Sequence, residues 1–174
     1  MKNIVLIGFM GTGKTVVGRS LSLILGYDFV ETDDLVKDVT GLDAAQVLKK
    51  YGEKRFRSEE ALIFRKLAQK QRQVIATGAN LLWHDQLAIF KESGFLTLLE
   101  TAPDVLYKRL TRKNNRSVFD RKPPLETLQQ LTDARREGYL TLADFVINTS
   151  EVSVDEAAKT IAGRYERFIK EGRF

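Results

Sequence analysis

Gly8-Phe9-Met10-Gly11-Thr12-Gly13-Lys14-Thr15 follows the apolar run Ile4-Val5-Leu6-Ile7 and leads into a helix-forming segment. The pattern G-x-x-x-x-G-K-[ST], set between a strand and a helix, is a phosphate cradle. Its glycines let the backbone wrap close and point N–H groups at phosphate oxygens. Lys14 reaches the β- and γ-phosphates, the Thr15 hydroxyl ligates Mg²⁺, and the helix behind adds the positive end of its dipole. With glycine near ~7% of residues, these four fixed positions recur by accident in a chain this long roughly 1% of the time. The stretch therefore predicts a P-loop and a nucleoside triphosphate.

Downstream of the loop, apolar runs of strand length alternate with helix-period segments, the mark of βα units around a parallel sheet. Strands are expected at 4–7, 28–30, 74–77, 95–99 and 145–148, buried on both faces. Helices are expected from Lys14 to a stop at Gly26, from Asp34 to a stop at Gly41, after Asp43, and from Gly52 to about Gln71. Another starts at Thr101-Ala102-Pro103, with threonine as cap, and the last follows the capping box Ser153-Val154-Asp155-Glu156. The spacing of Ala157, Ala158, Ile161, Tyr165 and Phe168 makes that last stripe core packing. The fold class is α/β: a three-layer α/β/α P-loop kinase fold with a five-stranded parallel sheet.

At 174 residues the chain suits one compact domain spanning 1–174. It has no cysteine and a single histidine, His84, so disulfides and thiolate or zinc sites are not expected. No stretch has the ~20 apolar residues of a spanning helix, and the amino-terminal run lacks a signal cleavage pattern. No membrane partner is expected, and the cytoplasm is the expected location. The net charge of +5 suits either a basic surface or arginines that hold small polyanions. No nucleic-acid motif appears, so nucleic acid is not an expected partner. The polar, basic stretch 112–124 carries Arg112, Lys113, Arg116, Arg121 and Lys122. Such a segment within a small domain predicts a mobile lid. A bare P-loop leaves GTPases, motor ATPases and small-molecule kinases open. The short chain and basic flap favour a kinase, which must close over ATP to exclude water.

Glu31-Thr32-Asp33-Asp34 lies just past the second predicted strand, where an open α/β sheet places its ligand crevice. In extended backbone Glu31 and Asp33 point the same way and can serve one site. One then holds a Mg²⁺-bound water and the other takes or orients a hydroxyl proton; the competing reading is that the acids cap the next helix. Arg57 and Glu60, three apart on a helix, can pair and so orient a guanidinium for a substrate carboxylate. Arg135, in the helix after the flap, is a second candidate for that carboxylate, while Arg136 faces elsewhere.

Taken in order, these motifs resemble the shikimate kinase family. Gly8 to Thr15 matches its P-loop, Glu31-Thr32-Asp33 its D-x-D, and Gly52 to Glu60 its G-E-x-x-F-R-x-x-E in full. Gly78-Ala79-Asn80 stands at its triple glycine, Arg116-Ser117-Val118 at its lid R-P-L, and Arg135 to Asp144 at R-x-x-x-Y-x-x-x-A-D. The resemblance implies a monomeric kinase that transfers the ATP γ-phosphate to the 3-hydroxyl of shikimate, in aromatic amino acid biosynthesis. It implies catalysis by Lys14, Asp33 and Arg116, and nucleotide contacts from Gly11, Thr12, Gly13, Lys14, Thr15, Val16, Arg109 and Arg116, with Arg109 stacked on adenine. Shikimate contacts would come from Asp33, Arg57, Gly78, Ala79 and Arg135. Mg²⁺, with ATP as co-substrate, would meet Thr15, with Glu31 behind it. A glutamate at 31 lengthens that contact by one methylene, and a positive φ at Ala79 or Asn80 would be strained. Two other readings use the same residues: a gluconate-type kinase, and a nucleotide-binding module that has lost phosphotransfer.

Overall fold

The computed structural model describes residues 2–78, 84–112 and 124–172. Five parallel strands lie in the order β2-β3-β1-β4-β5. They are β1 (Asn3–Ile7), β2 (Asp28–Glu31), β3 (Gln73–Ala76), β4 (Gly94–Glu100) and β5 (Phe145–Asn148). Central β1 pairs Ile4 with Val74 of β3 and with Phe95 of β4, and all five of its residues are buried. That accounts for its unbroken apolar run.

Alternation along the strands sends neighbouring side chains to opposite faces. Ile4, Leu6, Val74 and Phe95 pack with Val17 and Leu21 of α1 (Lys14–Leu25) and with Ala158 and Ile161 of α7 (Val154–Lys170). Val5, Ile7, Ile75 and Leu96 pack on the other face, against α2 (Thr32–Thr40) and α3 (Ala44–Ala68), through Val36, Phe56 and Phe64. The expected three layers follow from this one-residue alternation. Each fully buried Leu, Ile or Phe contributes ~1.5–3 kcal/mol before entropic costs.

Helix limits follow the local chemistry. Gly26 and Gly41 end α1 and α2 in left-handed conformation, and both ends of the Ser153–Glu156 capping box are made. The two helical pieces expected around Gly52 are both present within α3, which breaks at Gly52, where φ is 78° and ψ 174°. A short α4 (His84–Leu87) and a 3-10 turn (Ala88–Phe90) precede β4. Then come α5 (Pro103–Arg112) and, after the undescribed stretch, α6 (Leu125–Leu140).

Three local expectations are corrected. The edge strands β2 and β5 are not buried on both faces, since Asp28, Val146 and Asn148 are exposed. Thr101 does not cap α5: the Ala102 carbonyl accepts the first helical bond from Leu106, and the Thr101 hydroxyl bonds to Thr149 instead. Asp33 is not in extended backbone, because β2 stops at Glu31 and α2 begins at Thr32. The acid at 33 thus sits in the first turn of a helix, where the dipole favours its charge.

Candidate active site

All five strands run the same way, so their carboxyl ends gather the P-loop, Glu31, Gly78, Glu100 and Thr149 along one edge. Ligand crevices of open α/β sheets form at that edge, where the strand order reverses. Here the reversal falls at β1, whose end is the P-loop.

Within the loop, Gly8 has φ 141° and passes so close to β4 that a Cβ would stand 2.4 Å from the Leu99 carbonyl oxygen. No other residue type fits there. Lys14 is buried, and its ammonium donates to the carbonyls of Gly8 (2.7 Å) and Phe9 (3.0 Å). Burial lowers its pKa to about 8, Asp33 and Glu31 pull it back up, and Arg135 lowers it further. The lysine is therefore held over the cradle and surrounded by the acceptor-side charges. Thr15 donates its hydroxyl to Glu31 Oε1 at 2.7 Å. Val16 opens onto solvent beside it, and Gly11, Thr12 and Gly13 form the turn between.

A hydroxyl, one carboxylate and phosphate oxygens suit Mg²⁺, which keeps several waters and seldom takes an all-protein cage. The Thr15–Glu31 pair offers such oxygen donors. Among the described residues there is no group of three or more His, Cys, Asp and Glu placed to hold a metal.

Opposite the cradle, α2, α3 and α6 bring a second charged group together. Asp33 lies against the backbone of Gly78: a Cβ there would fall 2.0 Å from Asp33 Oδ1. Glycine at 78 is required by space, since φ there is not positive. The Gly78 N–H donates to the Thr32 hydroxyl at 2.8 Å, so that donor is engaged by the protein. Arg135 lays its guanidinium over the Phe9 ring, 5.0 Å from the centroid, which ties α6 to the P-loop. Glu60 is 1% exposed and its Oε2 has no hydrogen-bond partner among the described residues. Burial pushes its carboxyl up to about 8, the Asp33 charge adds to the rise, and Arg57 opposes it. Tyr139 is raised as well, by burial first, with Arg135 opposing and Glu60 adding. Asp33, Arg57, Glu60, Arg135 and Tyr139 thus form one electrostatic unit.

Glu31 and Asp33 do not share a strand face: Glu31 ends a strand and Asp33 opens a helix, and the charges of both act on Lys14. Arg136 donates to Glu100, at the end of β4, at 2.6 Å. Arg109 stands on α5 with its guanidinium bonded to Thr149, Thr101 and Gly11. Ala79, Arg116 and all of the expected lid 112–124 except Arg112 and Pro124 lie outside the described residues. Phe9, Thr32 and Thr149 escaped the sequence reading. The signal that could have found Thr32 and Thr149 is their place at strand carboxyl ends; Phe9 offered only its place inside the P-loop.

Comparison with known proteins identifies the family. The family model described as shikimate kinase matches residues 10–166. The shikimate kinase of Pelotomaculum thermopropionicum is 41% identical over 100% of this chain and 99% of its own. That of Thermodesulfovibrio yellowstonii is 39% identical over 96% of both. Among solved structures, shikimate kinase from Acinetobacter baumannii in complex with shikimate superposes with a TM-score of 0.86, at 28% identity, over 96% of this chain and 94% of that one. With a P-loop beside a partly buried acid–arginine unit and full-length likeness in sequence and in fold, the chain belongs to the shikimate kinase family.

Proposed function

We propose that this chain transfers the γ-phosphoryl group of ATP to the 3-hydroxyl of shikimate. What supports the reading is Asp33 in the first turn of α2 beside Gly78, its charge acting on both Lys14 and Glu60, with Arg57 and Arg135 acting on the same groups. P-loop N–H groups bind the phosphates, and Lys14 exchanges its two carbonyl partners for β- and γ-oxygens. Arg57 and Arg135 take the acceptor carboxylate, which aligns the ring. Asp33 accepts the hydroxyl proton as the new O–P bond forms and the β–γ bridging bond breaks, releasing ADP. Loose phosphoryl-transfer transition states need alignment and charge neutralisation more than covalent help. Thr15 and Glu31 would hold Mg²⁺, which would supply charge neutralisation to the phosphates. Arg109 serves the base, while Arg116 and Ala79 complete the lid and the acceptor pocket as the family resemblance implies. A monomeric acting unit and a cytoplasmic location belong to the same reading.

The test is ADP release measured with shikimate, quinate, gluconate and no acceptor. Turnover that depends on shikimate is expected. Turnover with gluconate alone moves the assignment to another acid alcohol, and tight ATP binding without any turnover points to a nucleotide-binding module.

A further inference from the structure

Thr149, the first residue after β5, is 4% exposed and touches three parts of the nucleotide side. Its hydroxyl donates to the Thr12 carbonyl in the P-loop at 2.9 Å, with the Glu100 carbonyl also near at 3.1 Å. One hydroxyl has one proton, so its remaining contacts must be accepted. It therefore receives Arg109 Nη1 at 3.2 Å, and Thr101 is the donor in the 2.8 Å Thr101–Thr149 pair. The main-chain carbonyl of Thr149 takes Arg109 Nη2, while Arg109 Nη1 also reaches Thr101 and Gly11. A direction of donation runs from the guanidinium, through two hydroxyls, to the backbone of the phosphate cradle.

We propose that Thr149 is a positioning residue for the nucleotide, its buried hydroxyl locking Arg109 to the P-loop main chain. It thereby sets the span between the base end and the phosphate end of the site. This rests on reading Arg109 as the base-side residue and Gly8–Thr15 as the phosphate cradle, but not on the identity of the acceptor. Hydrogen bonds to charged groups carry more energy than neutral ones, and a side chain fixed before binding loses less entropy on binding. A threonine that merely ended the strand would give stability and no such span.

Equilibrium binding of ADP and of inorganic pyrophosphate, without acceptor, tests this in the full chain. Thr149→Val keeps the shape and removes the hydroxyl. It is expected to weaken ADP by about tenfold or more, to leave pyrophosphate within about twofold, and to be rescued by Thr149→Ser. In an Arg109→Ala background the same change should cost little, since its effect runs through that arginine. Unchanged ADP affinity with a lower melting temperature, equal loss for ADP and pyrophosphate, or additive losses in the double variant would each overturn the proposal. Should Thr149→Val fail to fold, half-buried Thr101→Val removes the adjoining hydroxyl and must shift ADP alone in the same direction. Loss of shikimate turnover with these affinities intact would count against the acceptor and not against Thr149.

Discussion

Gly78 shows how one hydrogen atom in place of a methyl group decides a site. Its α-carbon faces the Asp33 carboxylate so closely that a Cβ would overlap Oδ1 at 2.0 Å. Alanine there must push the acid aside, and a reacting group moved by about 1 Å loses ~100-fold in rate. Gly78→Ala is therefore expected to lower kcat by roughly that factor while ATP affinity stays near the parent value; steady-state kinetics in both substrates checks it. Glu60 carries a different consequence. Its carboxyl is buried within the field of Asp33, and its pKa is raised from 4.5 to about 8, so the folded chain holds this proton more tightly than the unfolded one. Its contribution to stability is fully present below 4.5 and is lost as pH rises toward about 8. Urea unfolding should show a downward slope of at most about 1.4 kcal/mol per pH unit in that window, and Glu60→Gln should remove it. A Glu60→Gln variant that kept the parent's slope would mean that another group titrates there. Arg57 and Glu60 were legible as neighbours from their helical spacing. Burial of the acid was not, because it depends on packing between elements, which spacing along one helix does not report.

At the scale of elements, the acceptor side depends on how β2 and β3 end. Thr32 begins α2, is fully buried, and takes the Gly78 N–H with its hydroxyl at 2.8 Å. This bond ties the loop after β3 to the helix that carries Asp33. Thr32→Val leaves that N–H unsatisfied, a loss of ~1–3 kcal/mol in stability. It should raise KM for the acceptor several-fold with little change for ATP, measured beside the melting temperature. An equal rise in both constants would mean that the junction serves the whole edge. The same junction marks where reading by period reaches its limit. Two residues apart in a strand share a face, but here the strand ends at Glu31, and Asp33 points inward because α2 begins there. At α5 the side chain of Thr101 suits a cap, yet a nearby Thr149 competes for it and wins. Local propensity names the candidates; a neighbour from ~50 residues away chooses among them.

Across the whole molecule the two layers have separate duties. α1 and α7 pack on one face of the sheet, and α2 and α3 with Tyr139 of α6 on the other. The acid–arginine unit belongs to the second layer, whereas Ile161 of α7 is fully buried in the first. Ile161→Ala should cost ~2–5 kcal/mol of stability through lost burial and a cavity, with KM for both substrates within about twofold of the parent. Urea titration beside kinetics checks this, and a large change in either KM would show that the layers are coupled. The P-loop, the five strands, the helix stops at Gly26 and Gly41 and the capping box at Ser153 were all determined by the sequence itself. Each depends on residues within a few positions of one another, so local sterics and alternation suffice. Only the tertiary structure decided that Asp33 rests on Gly78, that Glu60 loses its water, that Arg135 covers Phe9, and that Thr149 ties Arg109 to the phosphate cradle. Those contacts join elements far apart in the chain, and desolvation and close approach exist only once the layers have packed.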